Sequence, residues 1–140
     1  MKNAVFFLTP KQDLNILSKG STIRQSIERL EKHDFNEMVV VDQEGKYDGI
    51  ISAKDLLLSF KMIEGLDLET SSQFKIKQLN FSTKLTAVHI DTKVDELVEL
   101  AKTQNVTPVI DANGIFIGIV RRADLLEYYY KEWEKLKNGK

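Results

Sequence analysis

Cysteine is absent from this 140-residue chain, which removes disulfides, thiolate zinc sites, iron–sulfur clusters and cysteine nucleophiles together. Histidine is nearly absent. His33 and His89 are the two imidazoles, and no H-E-x-x-H or paired-histidine spacing accompanies them, so no metal site is expected. Proline (2) and glycine (7) are sparse, and no Gly/Ser or Pro tract marks a linker or a low-complexity segment. Neither sign of charge dominates. With 20 basic against 21 acidic side chains, net −1, no global field draws nucleic acid or an anionic membrane, and any anion has to be caught locally. Long hydrophobic runs are missing too: the stretch 4–8, stopped by Pro10, is about a quarter of a membrane span and shorter than a signal-peptide core. A cytoplasmic location is expected. The length and the 42% apolar content suit a domain that buries roughly two-thirds of its unfolded surface without staples.

What is present is a repeat. Residues 36–60, NEMVVVDQEGKYDGIISAKDLLLSF, align without gaps with the stretch from Asn105, NVTPVIDANGIFIGIVRRADLLEYY. The offset is 69. Nine of the 25 aligned positions are identical, where chance gives roughly one or two. Upstream, Ser21-Thr22-Ile23 aligns with Thr92-Lys93-Val94 at an offset of 71.

Each copy carries the same local order. Residues 14–18 and 85–90 are β-prone, and Ser21 or Thr92 is placed to cap the helix that follows. Ile23, Ile27 and Leu30 in the first copy, and Val94, Leu97, Val98 and Ala101 in the second, recur at helical spacing and predict one core-facing stripe per helix. Strands at 38–41 and 108–110 run into Asp42-Gln-Glu-Gly45 and Asp111-Ala-Asn-Gly114, which predict hairpin turns. The return strands, 47–51 and 115–120, each hold a glycine, Gly49 or Gly118, where a backbone or ligand can approach closely. A second helix follows, with Asp55 or Asp124 in its first turn; in the second copy Leu125, Tyr129, Trp133 and Leu136 extend an apolar stripe. Each half is thus β-α-β-β-α and too small to fold confidently alone. The expected class is α/β, two tandem repeats packed with pseudo-two-fold symmetry, divided at 1–68 and 69–140.

This pattern, V-[VI]-D-x-x-G-x-[YF]-x-G-I-[IV]-x-x-x-D-L-L met twice at one spacing, resembles the cystathionine-β-synthase (CBS) domain, and two copies resemble a CBS pair or Bateman module. The resemblance covers Leu14 to about Tyr130. It implies a regulatory module that binds an adenosine-containing ligand (AMP, ADP, ATP, S-adenosylmethionine or cyclic di-AMP) between the repeats and signals to a partner protein. A stand-alone pair of this kind is similar to cyclic di-AMP binding proteins of Gram-positive bacteria. The resemblance also implies homodimers formed through the helices, and no required cofactor. The family's ligand motif, G-h-h-x-[ST]-x-x-D or a form one residue shorter, is matched in its shorter form by Gly49-Ile-Ile-Ser52-Ala-Lys-Asp55. An ionised Asp there can accept hydrogen bonds from both ribose hydroxyls, beside the free N–H groups of a helix start. The second copy keeps Asp124 but replaces the hydroxyl with Arg121, followed by Arg122, and guanidinium forks suit a phosphate.

By the same resemblance one cleft combines Ser52, Lys54 and Asp55 with Thr86, Ala87, Thr107 and Pro108. The other combines Arg121, Arg122 and Asp124 with Leu14, Met38, Val39 and Lys11. Apolar groups would sandwich the adenine in each. Because Glu37-Met38 stands where Val106-Thr107 stands, the two base pockets are expected to differ. Plainer roles compete: Asp55 and Asp124 as acids complementing a helix dipole, Ser52 as an N-cap, and the arginines as a solvated pair. Asp42 and Asp111 are read as turn residues, His33 as solvent-facing, His89 as a strand residue without chemistry. The aromatic cluster Tyr128, Tyr129, Tyr130 and Trp133 is read as packing on the module or on a second subunit. An enzyme is not expected, since there is no P-loop, no Gly-x-Ser-x-Gly and no nucleophile with a nearby base. The alternative to a sensor is a dimerisation or interaction module with empty clefts.

Overall fold

The computed structural model describes residues 2–32, 37–79 and 84–139. Its first half runs α1 (Ala4–Phe7), β1 (Thr9–Pro10), a 3-10 turn (Lys11–Asp13), β2 (Ile16–Ser18), α2 (Ile23–Lys32), β3 (Glu37–Val41), β4 (Tyr47–Ser52) and α3 (Ala53–Met62). Two further 3-10 turns, Ser71–Gln73 and Ile76–Gln78, lead to β5 (Val88–His89), α4 (Val94–Ala101), β6 (Val106–Ile110), β7 (Phe116–Arg121) and α5 (Arg122–Asn138). The two repeats are therefore present, each built on a sheet of its own. The first has strand order β2-β3-β4, the second β1-β7-β6-β5.

The hairpins follow from the turn chemistry. In the first, Asp42 Oδ1 accepts from the N–H groups of Glu44 and Lys46 at 2.8 and 2.9 Å. In the second, Asp111 Oδ1 accepts from Asn113 and Ile115 at 2.8 and 3.0 Å. Gly45 and Gly114 take the positive φ, 87° and 84°, that closes each turn. The Lys46 N–H, with that of Glu44, holds the Asp42 carboxyl below its ordinary value against the opposing effect of burial.

The helices bury the stripes their spacing predicts, with exceptions. Ile23 is buried, and Ile27 and Leu30 pack on the first core with Leu17, Val40 and Ile51. Val94 and Leu97 enter the second core with Val88 and Val109, whereas Val98 is exposed. The cap of α2 is Thr22 rather than Ser21: Thr22 Oγ1 accepts from Gln25 N–H at 3.1 Å, and Gln25 Oε1 accepts from Thr22 N–H at 2.8 Å. This reciprocal box satisfies two donors at once. Thr92 does not cap α4 either; Lys93 holds that position without a side-chain bond, and the acids of the first turn, Asp95 and Glu96, complement the dipole instead. On α5 only Leu125 is buried, and Tyr128 joins the core beside Phe7. Tyr129, Trp133 and Leu136 do not continue a packed stripe. They are exposed, Leu136 at 75%, on the later turns of this 17-residue helix.

Both terminal segments of the repeats cross over. Helix α1 buries Ala4 and Phe7 in the second core, and β1 pairs with β7, Thr9 opposite Ile119 and Pro10 opposite Gly118. A Cβ on Gly118 would run into the Thr9 carbonyl oxygen and the Leu8 side chain, so this glycine serves a neighbouring backbone, not a ligand. In return Ile76 is buried in the first core, where Ile23 N–H donates to the Phe74 carbonyl at 2.9 Å. A third cluster joins the repeats. Phe116, Ile119 and Val39 are buried together, flanked by Leu14, Ile16, Val41, Tyr47 and Val106. The hairpin turns meet at its edge, with Phe116 N–H donating to the Gly45 carbonyl at 3.0 Å.

Candidate functional site

A cleft of about 340 Å³ opens between the repeats beside that shared cluster, within the size range of small-molecule sites. Its walls come from both halves. Leu14 and Asn15 precede β2, Glu37, Met38 and Val39 begin β3, and Ile50 lies across from them on β4; Asn105 and Val106 enter β6, Ile119 and Arg121 end β7, and Ala123 starts α5. Parity explains the set. Ile119 and Arg121 lie two apart on β7 and so point to the same face, with Pro108 and Val106 as their partners on β6.

The polar groups are few and unspent. Arg121 is the N-cap of α5, yet its side chain caps nothing, and neither its guanidinium nor the Asp124 carboxylate forms a hydrogen bond or ion pair among the described residues. The first turn of α5 adds backbone N–H groups that lack helical partners. Asn15 Nδ2 is buried and has no partner, while its Oδ1 takes a long 3.4 Å bond from Arg29. A buried donor left unpaired costs about 1–3 kcal/mol, which an acceptor on a ligand would offset.

Of the residues the sequence assigns to this cleft, Leu14, Met38, Val39 and Arg121 line it. Lys11, on the exposed 3-10 turn, and Asp124, half-buried in the first turn of α5, are not among the residues that line it. Arg122 turns away: its Nε donates to the Ala101 carbonyl at 2.8 Å, fastening α5 to the end of α4. Sequence reasoning missed Asn15, Asn105 and Ile119 as wall residues and counted Glu37 only as a difference between the copies.

The other predicted set falls into two hydrogen-bonded groups. Ser52 caps α3, its Oγ accepting from Asp55 N–H at 3.1 Å while Asp55 Oδ2 accepts from Ser52 N–H at 2.9 Å. The capping role of Ser52 and Asp55 is thus real, and Lys54 beside them is exposed. On the second repeat, Thr107 and Pro108 are buried, and Gln104 bonds to Thr86 and Thr107. Ala87 is half-buried next to Thr86. Tyr47 reaches across from the first repeat, its hydroxyl accepting from Leu85 N–H at 2.9 Å; burial pushes this phenol up. His89 is an exposed strand residue, and His33 lies outside the described residues. Among the described residues, no cluster of three His, Cys, Asp or Glu could hold a metal, and no helix is long and apolar enough to cross a membrane.

The CBS-domain family model matches the chain twice, over residues 6–61 and 76–131. The chain belongs to the CBS-domain family. A CBS domain-containing protein of Dictyostelium discoideum is 27% identical over 130 residues, covering 88% of this chain and 89% of its own length. Among solved structures, CbpB in complex with c-di-AMP superposes with a TM-score of 0.88 at 20% identity, over 99% of this chain and 91% of that one. CBSX2 in complex with AMP superposes with a TM-score of 0.70 at 22% identity, over 94% and 98%. The fold is that of a tandem CBS pair.

Proposed function

We propose that this CBS pair is a regulatory module, not an enzyme, that binds an adenine nucleotide in the cleft between its repeats and signals the bound state to a separate partner protein in the cytoplasm. The observation that carries the reading is the cleft itself: apolar walls from both repeats, with Arg121 and the buried Nδ2 of Asn15 unpaired at their edges. Leu14, Val39 and Ile119 would hold the base, Arg121 and the start of α5 a phosphate, and Asp124 the sugar hydroxyls. The similarity to CbpB and CBSX2, whose structures hold cyclic di-AMP and AMP, supports the ligand class. Because the walls belong to two repeats, a ligand that bridges them biases their relative position, and that shift is the signal.

Thermal unfolding against AMP, ADP, ATP, S-adenosylmethionine and cyclic di-AMP tests this. A true ligand at 100 times its dissociation constant adds about 2.7 kcal/mol of stability, which for a chain of this size raises Tm by several degrees. No rise with any of them at millimolar concentration contradicts the reading. It would then favour an interaction module, for which one observation speaks: Leu57 and Met62 on α3 and Leu126, Tyr130, Trp133 and Leu136 on α5 are all exposed. Light scattering distinguishes a dimer built on these faces from a monomer.

A further inference from the structure

The repeat relates the open cleft to the place where a second one was expected, around Thr86 and Thr107, but the backbones at the two places are not spent alike. In the first repeat the parallel ladder of β2 and β3 begins with Ile16 opposite Val39. In the second the corresponding ladder of β5 and β6 begins one residue later, with Val88 opposite Val109. The residue aligned with Val39 is Pro108, which has no N–H to give to the neighbouring strand. The Thr86 backbone is therefore left outside the ladder, with a donor and an acceptor to satisfy.

Gln104 satisfies both. Its Oε1 accepts from Thr86 N–H at 2.8 Å and its Nε2 donates to the Thr86 carbonyl at 3.1 Å. The second hydrogen of Nε2 goes to Thr107 Oγ1 at 3.3 Å. The side chain is 7% exposed, so this amide has traded water for three protein contacts. An acceptor and an amino donor side by side, set against one residue's N–H and C=O, is also the pattern that the edge of a 6-aminopurine presents, since N1 accepts and N6 donates.

We propose that Gln104 is an internal occupant of the second cleft, holding on Thr86 the paired contact that an adenine would make, so that each chain binds one nucleotide and binds it in the cleft of Leu14 and Arg121. The proposal rests on the nucleotide-binding reading for the open cleft, but its own content is the closure of the other one. The asymmetry makes the pair a single-ligand module whose second half is latched by its own side chain.

Titration calorimetry with AMP on the full chain and on Gln104→Ala tests it. One AMP per wild-type chain and two per Gln104→Ala chain is the expected result. A wild-type count of one with no gain in the variant overturns the role of Gln104, as does a count of two in the wild type. No binding by the wild type but one site in Gln104→Ala upholds the latch and refutes the reading of the Leu14 cleft instead, and no binding by either overturns both. The native chain gives a readout that does not depend on the variant folding. In ¹⁵N spectra of the wild type with saturating AMP, the Gln104 side-chain NH₂ and the Thr86 amide should stay in place while the Asn15 and Ala123 amides move. Saturable movement of the Gln104 and Thr86 signals overturns the proposal.

Discussion

Phe116→Ala is expected to remove about 3–5 kcal/mol of stability, the range for deleting a buried aromatic ring and leaving its volume unfilled. Phe116 is 1% exposed and sits with Val39 and Ile119 in the cluster that joins the repeats, its ring centroid 6.4 Å from that of Tyr47. Domains are typically stable by only about 5–15 kcal/mol, so the loss is a large fraction of the margin. Neither repeat can compensate, because the cavity lies between them. Urea unfolding measures the effect, with Leu126→Ala as control. Leu126 is 70% exposed, and its truncation should change stability by no more than about 0.5 kcal/mol. A loss under about 1 kcal/mol for Phe116→Ala would mean that the repeats are not held by this cluster.

Arg121→Ala carries the largest expected effect on binding. A hydrogen bond to a charged group contributes about 1.5–3 kcal/mol, so affinity for a phosphate-bearing ligand should fall roughly 10- to 100-fold, while adenosine should be affected about two-fold at most. Arg122→Ala provides the contrast. Its guanidinium is committed to the Ala101 carbonyl, so its loss should affect the joint between α4 and α5 and leave the phosphate preference intact. Equal losses for the two variants, or equal losses for nucleotide and nucleoside, would contradict the assignment of Arg121. Raised salt should weaken the wild-type interaction more than that of Arg121→Ala, because screening acts on the charge that the variant lacks.

Much of this was legible in the sequence because it depends on local rules. Asp42 with Gly45 and Asp111 with Gly114 encode the hairpins through side-chain acceptance and positive φ, which need no knowledge of the rest of the chain. The resemblance to the CBS pair, not the repeat alone, then assigned Leu14, Met38, Val39 and Arg121 to a common cleft. Long-range contacts were not legible. Nothing in the stretch 4–8 says that Ala4 and Phe7 belong to the second core, and nothing in Arg121-Arg122 says that one guanidinium faces the cleft while the next fastens to α4. Asn15 and Gln104 escaped for another reason. Both lie outside the aligned motif, and their importance comes from polar atoms that the backbone leaves over. One trace was visible: proline aligned with valine, Pro108 with Val39, marks the strand that cannot complete its ladder.

A crystal structure of the chain grown with AMP or cyclic di-AMP, whichever raises Tm more, tests most directly where the nucleotide sits. The predicted result is a base between Leu14, Val39 and Ile119, a phosphate within hydrogen-bonding distance of Arg121, and Gln104 still bonded to Thr86. A nucleotide lodged on Thr86 with Gln104 displaced, or a ligand bound away from both clefts, would contradict it.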